Sequence, residues 1–180
     1  MSAMYEGAHS TIIRRCLNGD RKAQHELFEL YARPMFNVAF GITGTKEEAE
    51  DVLQEAFIEM FRNLNSFRGE SSFGSWFKRI VINRSLNQIR TKRKLVYEPA
   101  MENYSEAEVE SETDWPELSV EKIEQAMMQL PEGYKIVFRL FMFENLSHQE
   151  ISDMLGISES TSKTQLFKAR RKLRNVLIAN

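Results

Sequence analysis

At 180 residues, 42% of them apolar, the chain is long enough for one core or two small ones and too apolar for wholesale disorder. A formal net charge of −2 lacks the basic surplus usual in nucleic-acid-binding domains, the single cysteine (Cys16) excludes an internal disulfide, and the three histidines (His9, His25, His148) lack zinc-site spacing. With no apolar run of about 18 residues and no apolar signal-peptide core near the N-terminus, the expectation is a cytoplasmic protein without metal or cofactor.

Apolar residues recur at spacings of three and four, so the chain reads as all-α. Ser10 is positioned to cap a first helix that Gly19 ends, and Asp20 a second that runs toward Ile42, with Pro34 bending or breaking it. Thr45 and Glu48 have the spacing of a capping box and open a third helix to about Leu64. On it, acids surround an apolar stripe of Ala49, Val52, Ala56 and Met60. Asp51, Gln54, Glu55 and Ile58 share one surface, which suits a partner's basic helix but is also what a merely solvated face looks like. Ser72 caps a long fourth helix from Phe73 to about Lys94. These four helices make one domain, residues 10–95.

The net charge conceals a pattern. Residues 71–97 hold seven bases and no acid, residues 98–117 eight acids and no base, and residues 160–180 six bases and no acid. In the first basic stretch, Phe73, Trp76 and Phe77 lie beside Lys78 and Arg79 and are followed by Asn83, Asn87, Gln88 and Arg90. Rings that stack on bases and cations that hold a backbone suit single-stranded DNA, although an aromatic stripe is also a common core element. Residues 96–117, acidic and proline-interrupted, read as a solvated, self-repelling linker.

The second domain, residues 118–180, reads as helices over Ser119–Leu130 (stopped by Pro131), Tyr134–Glu144, Ser147–Leu155 and Glu159 to about Leu177. Ser147 and Glu150 form a capping box, Gly156 permits a tight turn and Ser158 caps the next helix: a helix-turn-helix. Leu166, Ala169, Leu173 and Leu177 should pack inward. Ser160, Thr161, Thr164, Lys168 and Arg171 should point outward, toward the edges and phosphates of a major groove. A helical hairpin with a solvated basic face has the same spacing.

Three stretches in order resemble the extracytoplasmic-function branch of the bacterial sigma factor family. Gly19-Asp-Arg-Lys-Ala23 with Ala49-Glu-Asp-Val-Leu-Gln-Glu-Ala-Phe57 resembles the core-binding part of sigma region two. Ser66-Phe-Arg-Gly-Glu-Ser-Ser-Phe-Gly-Ser-Trp-Phe-Lys-Arg-Ile80, with Asn83, resembles its promoter-melting and minus-ten part. Leu130-Pro131, Glu150-Ile151, Leu155-Gly-Ile-Ser158 and Ala169-Arg-Arg-Lys-Leu173 resemble sigma region four. The resemblance implies a sigma region two helical bundle and a region four helix-turn-helix joined by a flexible linker.

By the same resemblance, Asp51, Gln54 and Glu55 meet the clamp helices of the largest subunit of RNA polymerase core. Phe67, Arg68, Ser71, Ser72 and Phe73 belong to the loop that captures a flipped minus-ten base, with Trp76, Arg79, Asn83 and Asn87 near that DNA. Ser160, Thr161, Lys163, Thr164, Lys168 and Arg171 face the minus-thirty-five element. The partners implied are core polymerase, promoter DNA and an anti-sigma factor, often a membrane protein, that would hold this one at the inner membrane, with no small-molecule substrate. Ser162 departs from the family's commonly apolar residue and Gln165 from a frequently basic one, which puts the minus-thirty-five preference in question. The competing reading is a free-standing helix-turn-helix regulator, which would dimerise on a palindrome. An enzyme would need a nucleophile, base or metal constellation that the sequence does not offer.

Overall fold

The computed structural model describes residues 2–92, 95, 97 and 120–178, with side chains from residue 10 onward in the first helix and over 122–177 in the second half. The described residues hold eight α-helices and no strand, in an all-α fold. They fall into two compact units, Met1–Arg93 and Lys94–Asn180. The first contains α1 (Ser2–Leu17), α2 (Arg21–Thr43), α3 (Lys46–Arg62), a 3-10 turn (Leu64–Ser66) and α4 (Phe73–Lys92). The second contains α5 (Val120–Met127), α6 (Glu132–Met142), α7 (His148–Leu155) and α8 (Glu159–Ile178). Apart from Leu95 and Tyr97, the segment between the units, with the expected linker 96–117, lies outside the described residues.

Local chemistry accounts for most helix ends. Asp20 accepts hydrogen bonds from the backbone N–H groups of Lys22 (2.9 Å) and Ala23 (3.2 Å), and its other oxygen accepts from Arg15 Nε at 2.9 Å. The Ala23 N–H and the Arg15 guanidinium hold this carboxyl below its usual range. Thr45 caps α3 by accepting from the Glu48 N–H at 3.3 Å, while the Glu48 carboxylate lies 3.4 Å from Lys92 Nζ on α4.

Two expectations change. The first helix begins at Ser2, so Ser10 lies inside it and is not its cap. The preceding Ala3, Met4, Glu6 and Ala8 are good helix formers, and one serine does not outweigh them. Nor does Pro34 break α2, which is continuous from Arg21 to Thr43. Pro34 is exposed, while buried Leu27, Met35 and Ala39 on either side anchor the helix to the core. That packing offsets the missing N–H.

In the first unit α2, α3 and α4 pack on one another around Leu27, Ala39, Ala56, Met60, Phe77 and Val81, none of which has exposed surface. Phe77 is central: its ring centroid lies 4.8 Å from Phe57, 6.1 Å from Tyr31 and 6.2 Å from Phe73. In the second unit α8 packs against α5, α6 and α7, burying Val137, Leu140, Ile151, Leu166, Ala169 and Leu173. Among the described residues no helix is long and apolar enough to cross a membrane, and no His, Cys, Asp or Glu cluster is placed to hold a metal.

Candidate nucleic-acid and partner-binding surfaces

On α3, the residues between the buried positions form an exposed ridge. Asp51, Gln54 and Glu55 are exposed, as is Ile58 at 45%. Glu55 and Ile58 continue into a groove of about 470 Å³ lined also by Glu59, Arg62, Asn63 and Arg84, the last contributed by α4. Arg84 Nε donates to Glu59, and its Nη1 donates to Glu55 at 3.3 Å. An apolar side chain flanked by acids and bases is a common composition for a protein contact.

The stretch from the 3-10 turn to α4 has an aromatic base and a polar rim. Phe67 is half-buried, its ring centroid 5.4 Å from both Phe73 and Trp76. Gly69 adopts φ 74°, which reverses the chain, and Arg68, Ser71 and Ser72 are exposed. Ser72 Oγ accepts from the Ser75 N–H at 3.1 Å and so caps α4. Beyond it Arg79, Asn83 and Asn87, four residues apart, form one exposed ridge.

Phe73 is a correction. It is 3% exposed and packs in the core against Tyr31, Phe67, Trp76 and Phe77, so its ring has no free face for a base. It is the loop's anchor. Trp76 is half-buried and packs partly on the core. The sequence reading passed over Gly74, where a Cβ would come within 3.3 Å of the Tyr31 ring; a glycine between aromatics at a helix start was the available signal.

The helix-turn-helix is built as its sequence indicates. The Ser147 N–H donates to Glu150 Oε2 at 2.9 Å and the Glu150 N–H to Ser147 Oγ at 3.2 Å, completing the capping box. Gly156 closes α7 in the left-handed region (φ 68°), its N–H on the Ser152 carbonyl at 2.8 Å. Ser158 Oγ accepts from the Thr161 N–H at 3.0 Å and caps α8. A Cβ at Gly156 would meet nothing within 4 Å, so a substitution there isolates backbone strain. Gly156→Val is expected to destabilise the second unit by about 1–2 kcal/mol, read by urea denaturation. An unchanged midpoint would mean that the turn relaxes out of the left-handed conformation.

On α8, Leu166, Ala169 and Leu173 are buried as expected, whereas Leu177 is only half-buried. Ser160 and Arg171 are exposed, and Thr161, Lys163 and Lys168 are half-exposed, with Lys163 Nζ 3.3 Å from Glu159. Thr164 is corrected: expected to point outward, it has no exposed surface, nor has Gln165. A helix packed against three others is covered on more of its circumference than one apolar stripe implies. Ser162 is also fully buried; its hydroxyl lies 2.9 Å from His148 Nδ1, and the His148 ring stacks on Phe141 at 4.6 Å. A polar residue at this apolar position is thus supplied with a hydrogen bond.

The later turns of α8 supply a groove of about 660 Å³, lined by Pro131, Tyr134, Phe167, Lys168, Arg171, Lys172 and Asn175. Asn175 and Phe167 were not singled out in the sequence, and Lys172 entered only through the basic run and the Ala169–Leu173 tail. Positions 168, 171, 172 and 175 follow helical spacing, so the stripe was readable there.

Comparison with known proteins identifies this pair of units. Residues 27–95 match the family model for Sigma-70 region 2, and residues 120–173 that for Sigma-70, region 4. The order defines a sigma-70-type transcription initiation factor. The chain is 30% identical over 176 residues to the ECF RNA polymerase sigma factor SigW of Bacillus subtilis, covering 92% of this chain and 94% of that one. It is 28% identical over 175 residues to the ECF RNA polymerase sigma-E factor of Escherichia coli, covering 91% of each. The chain belongs to the ECF RNA polymerase sigma factor family, and promoter recognition in transcription initiation is its function.

Two solved structures share the fold. CnrH, solved in complex with the cytosolic domain of CnrY, superposes with a TM-score of 0.56 at 19% identity, covering 94% of this chain and 97% of its own. The sigma factor RpoE of Bartonella quintana, solved with the anti-sigma factor NepR, gives 0.57 at 16% identity, covering 87% and 97%. The match to region 2 over the first unit does not favour a free-standing helix-turn-helix regulator.

Proposed function

We propose that residues 10–95 bind core RNA polymerase and open promoter DNA, that residues 118–180 read the minus-thirty-five element as duplex, and that residues 96–117 tether the two. The α3 ridge of Asp51, Gln54 and Glu55 meets the clamp helices of the polymerase's largest subunit. Phe67, Arg68, Ser71 and Ser72 frame the site for a flipped minus-ten base, beside Trp76, with Arg79, Asn83 and Asn87 along the adjoining strand. Flipping costs a few kcal/mol, roughly what one or two stacking contacts and a cationic surface return. Phe73 serves by holding Phe67 and Trp76 in place.

Ser160, Thr161 and Lys163 contact the minus-thirty-five duplex at the start of α8, and Lys168 and Arg171 hold its phosphates. Tethering two small readers gives avidity that neither has alone, so promoter binding without core is weak and salt-dependent. The chain acts in the cytoplasm without a small-molecule substrate or chemistry of its own, and an anti-sigma factor restrains it. A sigma factor of this fold solved with an anti-sigma factor supports that restraint.

The observation that carries the reading is the exposed ridge of Arg79, Asn83 and Asn87 running on from a polar loop with an aromatic base, in the same chain as a helix-turn-helix. It is tested by run-off transcription with core polymerase on genomic fragments. Discrete starts are expected that require the protein and fall about tenfold or more with Glu55→Arg, since a like charge at an interface both repels and loses its partner. No protein-dependent start, together with tight duplex binding by a dimer of the protein alone, would overturn it.

A further inference from the structure

The groove between α3 and α4 contains an arrangement that core binding alone does not require. Glu55, Glu59, Arg62 and Arg84 line it, two acids and two bases around exposed Ile58. One guanidinium is divided between two carboxylates a helical turn apart: Arg84 Nε donates to Glu59 Oε2, and Nη1 reaches Glu55 Oε2 at 3.3 Å. The side chains of Glu55, Glu59 and Arg84 are 61%, 31% and 40% exposed. Glu59 therefore has the more sheltered share of Arg84, and Glu55 the wetter one. A guanidinium fork binds most strongly when both its arms meet one carboxylate, an arrangement that neither acid has here.

We propose that Arg84 is an intramolecular competitor for Glu55 that sets how strongly this face attracts the polymerase. The inference rests on the reading of the α3 ridge as the core-binding face. A cation of core that approaches Glu55 also meets Arg84 a few ångströms away, and part of the attraction is cancelled. Glu59 limits the cancellation by drawing the guanidinium to itself. The groove is thus a balance, and its two arms are separable because their removal acts in opposite directions.

Without Arg84 the face is one charge more negative and Glu55 is fully available. Arg84→Gln is expected to tighten binding of the full-length protein to purified core polymerase about three- to fivefold at low salt, with a steeper salt dependence. Without Glu59 the guanidinium closes on Glu55 with both arms. Glu59→Gln is expected to weaken core binding by a similar factor, and adding Arg84→Gln to it should restore the affinity. Arg84→Lys, which keeps the charge but has no fork, should fall between wild type and Arg84→Gln. Melting curves should barely move, because exposed ion pairs add little to stability.

A simple brace between α3 and α4 would behave otherwise. Both single variants would then weaken core binding and lower the melting temperature together, and that result, or unchanged affinity in both, overturns the proposal. Glu55→Gln separates the two levels. If it weakens core binding while Arg84→Gln fails to tighten it, the competitor is wrong and the core-binding face stands. If Glu55→Gln has no effect, the face itself has been misassigned and the proposal falls with it.

Discussion

Phe77→Ala is expected to cost the first unit about 3–5 kcal/mol, the range for emptying a large aromatic site in a packed core. The side chain has no exposed surface and makes ring contacts with Phe57, Tyr31 and Phe73, so no single neighbour can swing into the space without abandoning another partner. A domain of this size melts roughly 4–8 °C lower per kcal/mol lost, so a fall of about 12–40 °C should be visible by circular dichroism. Phe77→Leu, which keeps most of the volume, should cost about 1–2 kcal/mol. Should Phe77→Ala cost under about 1 kcal/mol, the aromatic cluster would have to be more compliant than its geometry indicates.

The second large effect is on DNA. Replacing Lys168, Arg171 and Lys172 together by glutamine removes three cations from the groove along the later turns of α8. If each meets a phosphate, the slope of log affinity against log salt should fall by about 2–3, and affinity near 0.1 M salt should fall on the order of 10²–10³-fold. Fluorescence anisotropy of promoter duplex bound to the reconstituted holoenzyme, over a salt series, measures both. Base preference at the minus-thirty-five element should be retained, because phosphate contacts position without reading sequence. A full loss of affinity with an unchanged slope would instead point to misfolding of the second unit, and an unchanged slope with unchanged affinity would place the phosphates elsewhere.

What the sequence reveals here follows the range of the interaction involved. Asp20, Thr45, Ser147 and Ser158 cap their helices through N–H groups two or three residues away, and Gly156 turns the chain through its own backbone, so all were legible. The α3 ridge was legible because helical spacing alone separates Asp51 and Glu55 from Val52 and Ala56. Phe73 and Thr164 were misread for one reason: both lie where the chain looks functional, and their burial is decided by what packs on them from elsewhere in the chain. Ser10 failed because a cap is defined by where the preceding residues stop being helical, and those before it do not. The Arg84 contacts span 25 and 29 residues, beyond the reach of any local pattern.

The hydrogen bond between His148 and Ser162 makes the two helices of the reader a single inherited part. A recognition helix transplanted from a relative with an apolar residue at the position of Ser162 would arrive without the hydroxyl against which the His148 imidazole is set. On the proposed reading, minus-thirty-five specificity in this chain is therefore exchangeable as a module of α7 with α8, and a graft of α8 by itself carries the reading face without the hydrogen bond that ties it to α7.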